Sequence, residues 1–353
     1  MQKTLISSAA IVALMSGAAV AQDAYEITGE DVLEQAEEAN TGFSAEFSIE
    51  VENDYIFDSD DKAAELNDTF PTIEAALSYG FTPNVSLNTS LVLEPVEDAV
   101  NDRFFEDLGL YAEEVYLYTN LGPVAAVLGK FNPSFGMAWD AAPGIYGVDF
   151  AEDYEITEKL GGTLIVPFTA AGGEHEFAVS LFTADRTFLS DSLGEERGKL
   201  RRRDGGVSNT NSPESINVAL TGEISGTNYN LGVQSQQAGR GDAKDQVGGV
   251  FGLTRDFGGF ELLGEVAYFD HFDGTRNSAT YATLGGSVPI TDRLSLSGVY
   301  SHRDIEGGTA DHLATATAEF QLSEGLTLAA AYRYGDEGGD KSHTFGTLVA
   351  YEF

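Results

Sequence analysis

The sequence contains no cysteine and few basic residues: 19 Lys plus Arg stand against 57 Asp plus Glu in 353 residues, a formal net charge of -38. The absence of cysteine excludes disulfide scaffolds, thiolate zinc sites and cysteine nucleophiles. The negative charge would repel a phosphate backbone, so nucleic acid is not an expected partner. Beyond the N-terminus no stretch approaches the ~20 uncharged apolar residues of a spanning helix, which excludes a helical membrane protein.

The N-terminus has the pattern of a cleaved signal peptide. Lys3 supplies a positive charge, 4–20 are small and apolar, and Ala19-Val20-Ala21 precedes Gln22. A membrane anchor is the competing interpretation, but no stop-transfer pattern follows. We predict that residues 1–21 are removed on export, and that 22–42 form a short periplasmic extension, either a frayed tail or a helix capped by Thr28.

From residue 43 to 353, apolar residues recur at every second position in segments of about ten residues. In 85–94, for example, one face reads Val, Leu, Thr, Leu, Leu and the other reads Ser, Asn, Ser, Val, Glu. A period of two residues predicts strands with one apolar and one polar face. We expect about sixteen strands: 43–52, 70–81, 84–95, 109–120, 123–131, 159–168, 175–184, 215–223, 227–236, 246–255, 259–269, 279–289, 293–302, 311–322, 325–335 and 342–353.

The predicted connections alternate between long polar loops and short turns such as Thr82-Pro83 and Ser323-Glu324. A soluble sandwich has no reason to collect every tight turn at one end, whereas an outer-membrane barrel has short periplasmic turns and long external loops. The pattern therefore predicts an all-β fold, a transmembrane antiparallel β-barrel that occupies 43–353 as one domain.

Two stretches resemble segments of Gram-negative outer-membrane porins. The last segment, 344–353, alternates apolar residues and stops on Phe353, as porin terminal strands do. The run Gly129-Lys130-Phe131-Asn132-Pro133-Ser134-Phe135-Gly136 is similar to porin runs that end a strand and enter a constriction loop. The resemblance implies a general-diffusion porin in the outer membrane, a homotrimer, and recognition of Phe353 by the barrel-assembly machinery.

Strand parity predicts which side chains line the lumen of such a barrel. The predicted inward set is mostly acidic, and its few cations are Lys130, Arg333 and Arg293. Carboxylates along a pore concentrate cations over a Debye length of roughly 8 Å at physiological salt, which predicts a cation preference. The acidic residues of this set are Glu46, Glu50, Glu52, Glu74, Glu94, Glu114, Glu176, Glu261, Glu265 and Glu319.

The third long loop, 132–158, follows the fifth predicted strand, where sixteen-stranded porins fold a loop into the barrel. We expect it to narrow the pore, with its carboxylates facing the permeation path opposite Lys130 or Arg333 and creating a transverse field. An external loop covering the pore mouth is the alternative. The acidic residues of this loop that we predict at the constriction are Asp140, Asp149, Glu152, Asp153 and Glu155.

Other candidate sites are weaker. The basic segment 197–203 could bind lipopolysaccharide phosphates, or it could be a solvated loop. The acidic segment 58–61 lacks the glycine and the late glutamate of an EF-hand calcium loop, so we expect a solvated loop there. His271 and His302 lack a nucleophile elbow, so we predict no enzyme, and no catalytic residue, metal or cofactor.

The predicted function is passive diffusion of small hydrophilic solutes and cations through the outer membrane, in contact with its lipid. The alternatives are a solute-specific channel and, less favoured, a structural, adhesive or rim-catalytic barrel.

Overall fold

The computed structural model describes residues 41–353, and the predicted signal peptide and nearly all of the 22–42 extension lie outside them. Eighteen strands occur in this range, and sixteen of them form one closed antiparallel barrel. Two further strands of two residues each lie in loops: β4 (Arg103–Phe104) and β9 (Leu193–Gly194). The barrel strands are β1 (Gly42–Ser59), β2 (Asn67–Thr82), β3 (Val85–Pro95), β5 (Leu108–Asn120), β6 (Ala125–Phe131), β7 (Lys159–Ala170), β8 (Gly173–Ala184), β10 (Ser215–Glu223), β11 (Thr227–Gln236), β12 (Gln246–Asp256), β13 (Glu261–Asp270), β14 (Ala279–Thr291), β15 (Leu294–Ile305), β16 (Asp311–Ser323), β17 (Leu326–Glu337) and β18 (Asp340–Glu352).

The barrel is held closed by pairing between its first and last strands. Residues 48–59 of β1 pair with 342–352 of β18, and Phe47 and Phe353 exchange two backbone hydrogen bonds of 3.0 Å. Their rings stack with centroids 5.5 Å apart. Phe353 therefore belongs to the seam of the wall.

Large apolar side chains point away from the barrel axis at alternate positions. On β1 these are Phe43, Phe47, Ile49, Tyr55 and Phe57, all exposed, and the same alternation continues around the wall. Because successive side chains of a strand face opposite sides, the intervening residues face the interior. The alternation thus confirms the predicted barrel with an apolar outer face and a polar inner face.

Several strands are longer than predicted at their loop ends, among them β1, β2, β15 and β17. β1 continues to Ser59 and β17 to Glu337, so the first loop shrinks to 60–66 and the last to Gly338-Gly339. Both faces are polar in the extension of β17, and in the extension of β1 the outward Tyr55 and Phe57 lie between the polar Asn53 and Ser59. The apolar alternation is therefore interrupted where the pairing continues. The end of β1 is further tied by Asn53, whose amide donates to Asn67, Asp68 and Thr69 of β2.

Helical structure in residues 41–353 is limited to single turns, among them α1 (Ala138–Ala141) in the third loop. No helix in this part of the chain combines the length and the apolar character needed to cross a bilayer.

Candidate functional site

The third loop, 132–158, runs along the inner wall of the barrel. Its N-terminal part contacts β10 and β11, where the amides of Asn217 and Asn230 donate to the carbonyls of Ser134 (2.6 Å) and Gly136 (3.1 Å). Its middle reaches β18, where the Tyr146 ring lies over Gly346. A side chain on Gly346 would overlap that ring, because an ideal Cβ falls 2.1 Å from the Tyr146 hydroxyl oxygen. The loop therefore crosses from β10 to the barrel seam on the inner side.

Glu265 of β13 holds both ends of this loop. Its carboxylate, 3% exposed, accepts hydrogen bonds from the backbone amides of Met137 (2.6 Å) and Ala138 (3.2 Å) and from the Tyr154 hydroxyl (2.6 Å). A buried carboxylate requires such donors, since an ionised group without partners is costly to bury. Three donors on one carboxylate fix the start and the return of the loop to the same strand.

Two arginines attach the returning half of the loop to β15 and β17. Arg333 binds Asp149 (2.7 Å) and Glu337 (2.8 Å), and Arg303 binds Asp153 (2.8 Å) and Asp311 (2.8 Å). The Arg303 guanidinium also lies over the Phe150 ring at 4.4 Å. Charge-assisted bonds of this kind are about twice as strong as neutral ones.

The side chains of the two aspartates in this attachment are partly accessible, 26% for Asp149 and 23% for Asp153. Burial raises the pKa of Asp149 and of Asp153, although Arg333 and Arg303 oppose the rise by favouring the ionised forms. Tyr281 donates a hydrogen bond to Asp153 at 3.2 Å as well. We call β13–β17, together with these contacts to the third loop, the anchored wall.

Lys130 follows a glycine that twists the end of β6. Gly129 has φ +149°, and an ideal Cβ there would fall 2.3 Å from the Val115 carbonyl oxygen, so this conformation requires glycine. Lys130 is 1% exposed, and its ammonium binds Glu158 (2.6 Å) and the Ala112 carbonyl (2.6 Å). The charge of Lys130 is therefore neutralised by direct contact with Glu158 at the end of the third loop. Lys130 does not face the other carboxylates of that loop across the lumen.

In the basic segment 197–203, the Arg197 side chain is largely buried in an ion pair, whereas the other basic residues are exposed, with Arg203 3.6 Å from Asp204. Arg197 binds Glu158 in a bidentate pair of 2.7 and 2.6 Å, and its guanidinium stacks 3.8 Å from the Tyr111 ring centroid. Lys199, Arg201, Arg202 and Arg203 are exposed. Glu158 therefore links the third loop both to Lys130 and to the fourth loop, 185–214.

Inward carboxylates are concentrated on the strands that the anchored wall leaves uncovered. Glu50 of β1 is 3% exposed, Glu74 of β2 is half-buried, and Glu114 of β5 accepts a hydrogen bond from the Asn132 amide at 2.8 Å. Glu46, on the same face of β1 as Glu50, is exposed near the turn end of the barrel. A bulge opposite Ser90 and Leu91 gives β5 two adjacent carboxylates, Glu113 and Glu114.

The remaining predicted residues of the third loop differ in their surroundings. Asp140, in α1, is 4% exposed, whereas Glu152 and Glu155 are half-buried. The structure thus pairs Asp149 with Arg333 and Asp153 with Arg303, whereas Asp140 and Lys130 are buried.

Sequence reasoning missed several residues of the interior, chiefly Arg303, Asp54 and Glu337. Each lies just beyond a predicted strand end, at 302, 52 and 335 respectively, and each keeps the inward parity of its strand. Asp54 accepts a hydrogen bond from Tyr146 of the third loop. Extending the parity by one or two residues past the apolar pattern would have found all three.

No protein-family model and no curated protein sequence matches the chain. Solved structures do match. The outer membrane channel DcaP of Acinetobacter baumannii aligns with a TM-score of 0.63 and 12% identity, covering 89% of this chain and 100% of that one. OprB of Pseudomonas putida aligns with a TM-score of 0.66 and 8% identity over 92% and 96%.

A third structure, the anion-selective porin from Comamonas acidovorans, aligns with a TM-score of 0.56 and 13% identity over 88% of this chain and 100% of that one. These identities are low, and what they share with the present chain is the closed antiparallel barrel of sixteen strands. The chain therefore has the fold of the outer-membrane porins.

Proposed function

We propose that the protein is a water-filled channel of the outer membrane that lets small hydrophilic solutes diffuse passively and prefers cations. The observation that carries the proposal is the charge arrangement inside a sixteen-stranded barrel. Sixteen strands enclose an aqueous lumen, whereas about eight would be filled by side chains. The apolar outer face matches lipid, and the solutes would pass along the polar inner face.

The cation preference follows from which charges are paired. Five cations at the inner face or beneath its loops, Arg103, Lys130, Arg197, Arg303 and Arg333, each form an ion pair with a carboxylate. The carboxylates of β1 and β2 include Glu50 and Glu74, which bind no cation of residues 41–353. The surplus of negative charge would raise the local concentration of cations in the lumen.

Additional proposals concern assembly and partners. The exposed cations Lys199, Arg201, Arg202 and Arg203 lie in an external loop, where guanidinium groups suit lipopolysaccharide phosphates. A signal peptide at 1–21, a homotrimer, and recognition of Phe353 by the assembly machinery complete the proposal, on the basis of the porin-like fold and sequence pattern.

The test is single-channel conductance of the refolded protein in planar bilayers, with the reversal potential measured under a KCl gradient. We expect ohmic steps and a cation-selective reversal potential. A folded barrel, identified by its heat-modifiable gel mobility, that gives no steps would overturn the channel and favour an adhesive or structural role.

A loop variant tests the role of the third loop. Replacing Asp149, Glu152 and Asp153 by Asn, Gln and Asn should shift the reversal potential toward anions, because Arg303 and Arg333 lose opposing charge. The matched control changes three exposed carboxylates of the fourth loop, Glu195, Glu196 and Glu214, by the same amount of charge. An equal shift in both variants would contradict a constriction by the third loop.

A further inference from the structure

Glu50 is a buried carboxylate without a partner. Its side chain points inward from β1 and is 3% exposed, yet no residue of 41–353 donates a hydrogen bond to it or pairs with its charge. Glu265, equally buried, accepts three hydrogen bonds. Because no described residue supplies a donor or a cation, this carboxylate depends on water of the lumen, a proton or an external cation for compensation.

The neighbours of Glu50 are further carboxylates. Glu52 lies two residues along the same strand face, about 7 Å away for a strand that rises ~3.3 Å per residue. Glu74 of β2 and Glu352 of β18 are both paired opposite Ser48, so each lies diagonally from Glu50, at about 7 to 8 Å. Glu352 and Glu50 are close enough to repel each other electrostatically.

The row continues toward both ends of the barrel. Glu46 extends it on β1 toward the turn end, and Glu74 lies within electrostatic range of Glu94 and Glu113 on the neighbouring strands. One oxygen of Glu74, Oε1, is buried and has no hydrogen-bond partner in the described structure. Lys130 and Arg197 act on Glu113, which marks the limit of the uncompensated region. We call Glu46, Glu50, Glu52, Glu74 and Glu352 the acidic track.

The spacing of the acidic track selects among cations. Along β1, Glu50 and Glu52 lie about 7 Å apart, and Glu46 lies about 13 Å from Glu50. Glu74 and Glu352 occupy the neighbouring strands beside Ser48, between these two positions, so the charges do not converge on one point. A chelated metal ion needs oxygens that all lie within bonding distance of one centre. A linear amine with two or more ammonium groups separated by short alkyl segments meets successive carboxylates, and each ammonium offers three hydrogen-bond donors.

We propose that the acidic track binds linear diamines and oligoamines and passes them from one carboxylate to the next along β1. This inference rests on the proposed channel function and names a substrate class for it. Glu50 is the central binding residue, because it is the most deeply buried member and lies next to Glu52, Glu74 and Glu352. Multiple weak sites in a row permit both entry and release.

The experiment measures the block of single-channel potassium current by 1,5-diaminopentane, with pentylamine as the monovalent control and Mg²⁺ as the compact divalent control. The wild-type channel should be blocked by the diamine at a concentration at least about tenfold lower than by pentylamine, because the second ammonium forms a further charge-assisted hydrogen bond. Mg²⁺ block as tight as diamine block would overturn the proposal in favour of a site for compact divalent ions.

Two substitutions locate the site. Glu50→Gln and Glu74→Gln should each weaken diamine block about tenfold with little change in pentylamine block. The matched control is Glu319→Gln, which removes another buried inward carboxylate, on β16. Unchanged diamine block in both track variants, or an equal loss in Glu319→Gln, would overturn the proposal.

The same recordings test the channel and the amine site separately. A protein that gives no potassium current refutes the channel itself. A protein that conducts potassium but does not distinguish the diamine from pentylamine keeps the channel function and refutes the acidic track as an amine site.

Discussion

The two sides of the barrel interior use the same residue type in opposite ways. On the anchored wall, Glu265 receives three hydrogen-bond donors and fixes the third loop. On the acidic track, Glu50 is just as buried, at 3% exposure in both cases, and receives none. Burial alone therefore does not tell what a carboxylate does, because the donors around it distinguish a carboxylate that fixes a loop from one that has no partner in the described chain.

The largest effect is expected on the anchored wall. Glu265→Ala leaves the Met137 and Ala138 amides and the Tyr154 hydroxyl without their acceptor, which should reduce the free energy of unfolding by about 3 kcal/mol. Denaturant unfolding in detergent, followed by tryptophan fluorescence, measures the loss; the single tryptophan, Trp139, lies in the same loop. Glu265→Gln keeps acceptor capacity and should lose less; equal losses would contradict the anchoring role.

The next effect concerns the arginine attachment. Arg333→Met removes the partner of Asp149 and Glu337, which should cost about 2 kcal/mol and increase the cation preference, because two carboxylates lose their counter-charge. Unfolding and the reversal potential measure the two consequences. Arg293→Met, an equal charge change at an exposed turn, is the control. A shift toward anions in Arg333→Met would refute the pairing.

A smaller effect of opposite sign is expected on the acidic track. Glu50→Gln removes a charge that has no partner, so it should leave the free energy of unfolding unchanged or raise it by about 1 kcal/mol. The same Glu→Gln change at Glu265 should lower it. Side-by-side denaturant curves compare the two directly, and a destabilisation by Glu50→Gln as large as that by Glu265→Gln would remove the distinction between the two sides.

The smallest effect is a pH dependence of selectivity. Burial raises the pKa of Asp149 and Asp153, so these groups take up protons at a higher pH than solvated aspartates do. As the pH falls, they lose negative charge while Arg303 and Arg333 stay positive, and the cation preference should decrease. Reversal potentials between pH 7 and 4 measure this, and the Asp149→Asn/Asp153→Asn variant should respond less than the wild type.

The fold was predictable because one physical constraint acts on nearly every strand. Side chains such as Phe47, Leu231 and Val266 face outward and their neighbours in sequence face inward. The hydrophobicity of the sequence therefore alternates with a period of two residues along the barrel strands. The strands β4 and β9 were missed because two residues are too few to show a period.

For the interior of the barrel, the sequence predicts the sign of the charges but does not predict which charges form ion pairs. Parity predicts the strand face of Arg333 and of the β1 carboxylates, but whether Asp149 meets Arg333 depends on how the third loop crosses the barrel, which no local pattern encodes. Lys130 shows a second reason why strand parity is an insufficient guide. The positive φ of Gly129 changes the direction of the chain just before Lys130, so the alternation of β6 does not extend to this residue.

The seam between β1 and β18 has a consequence for biogenesis. Phe47 and Phe353 are hydrogen-bonded partners although they lie at opposite ends of the described chain, and every other barrel contact can form before this one. Contacts of such large sequence separation are slow to form, because a long loop must close first. Until Phe353 pairs with Phe47, β1 and β18 each have an unpaired edge that can pair with another chain. This topology therefore requires that both edges be shielded from other chains until the barrel closes.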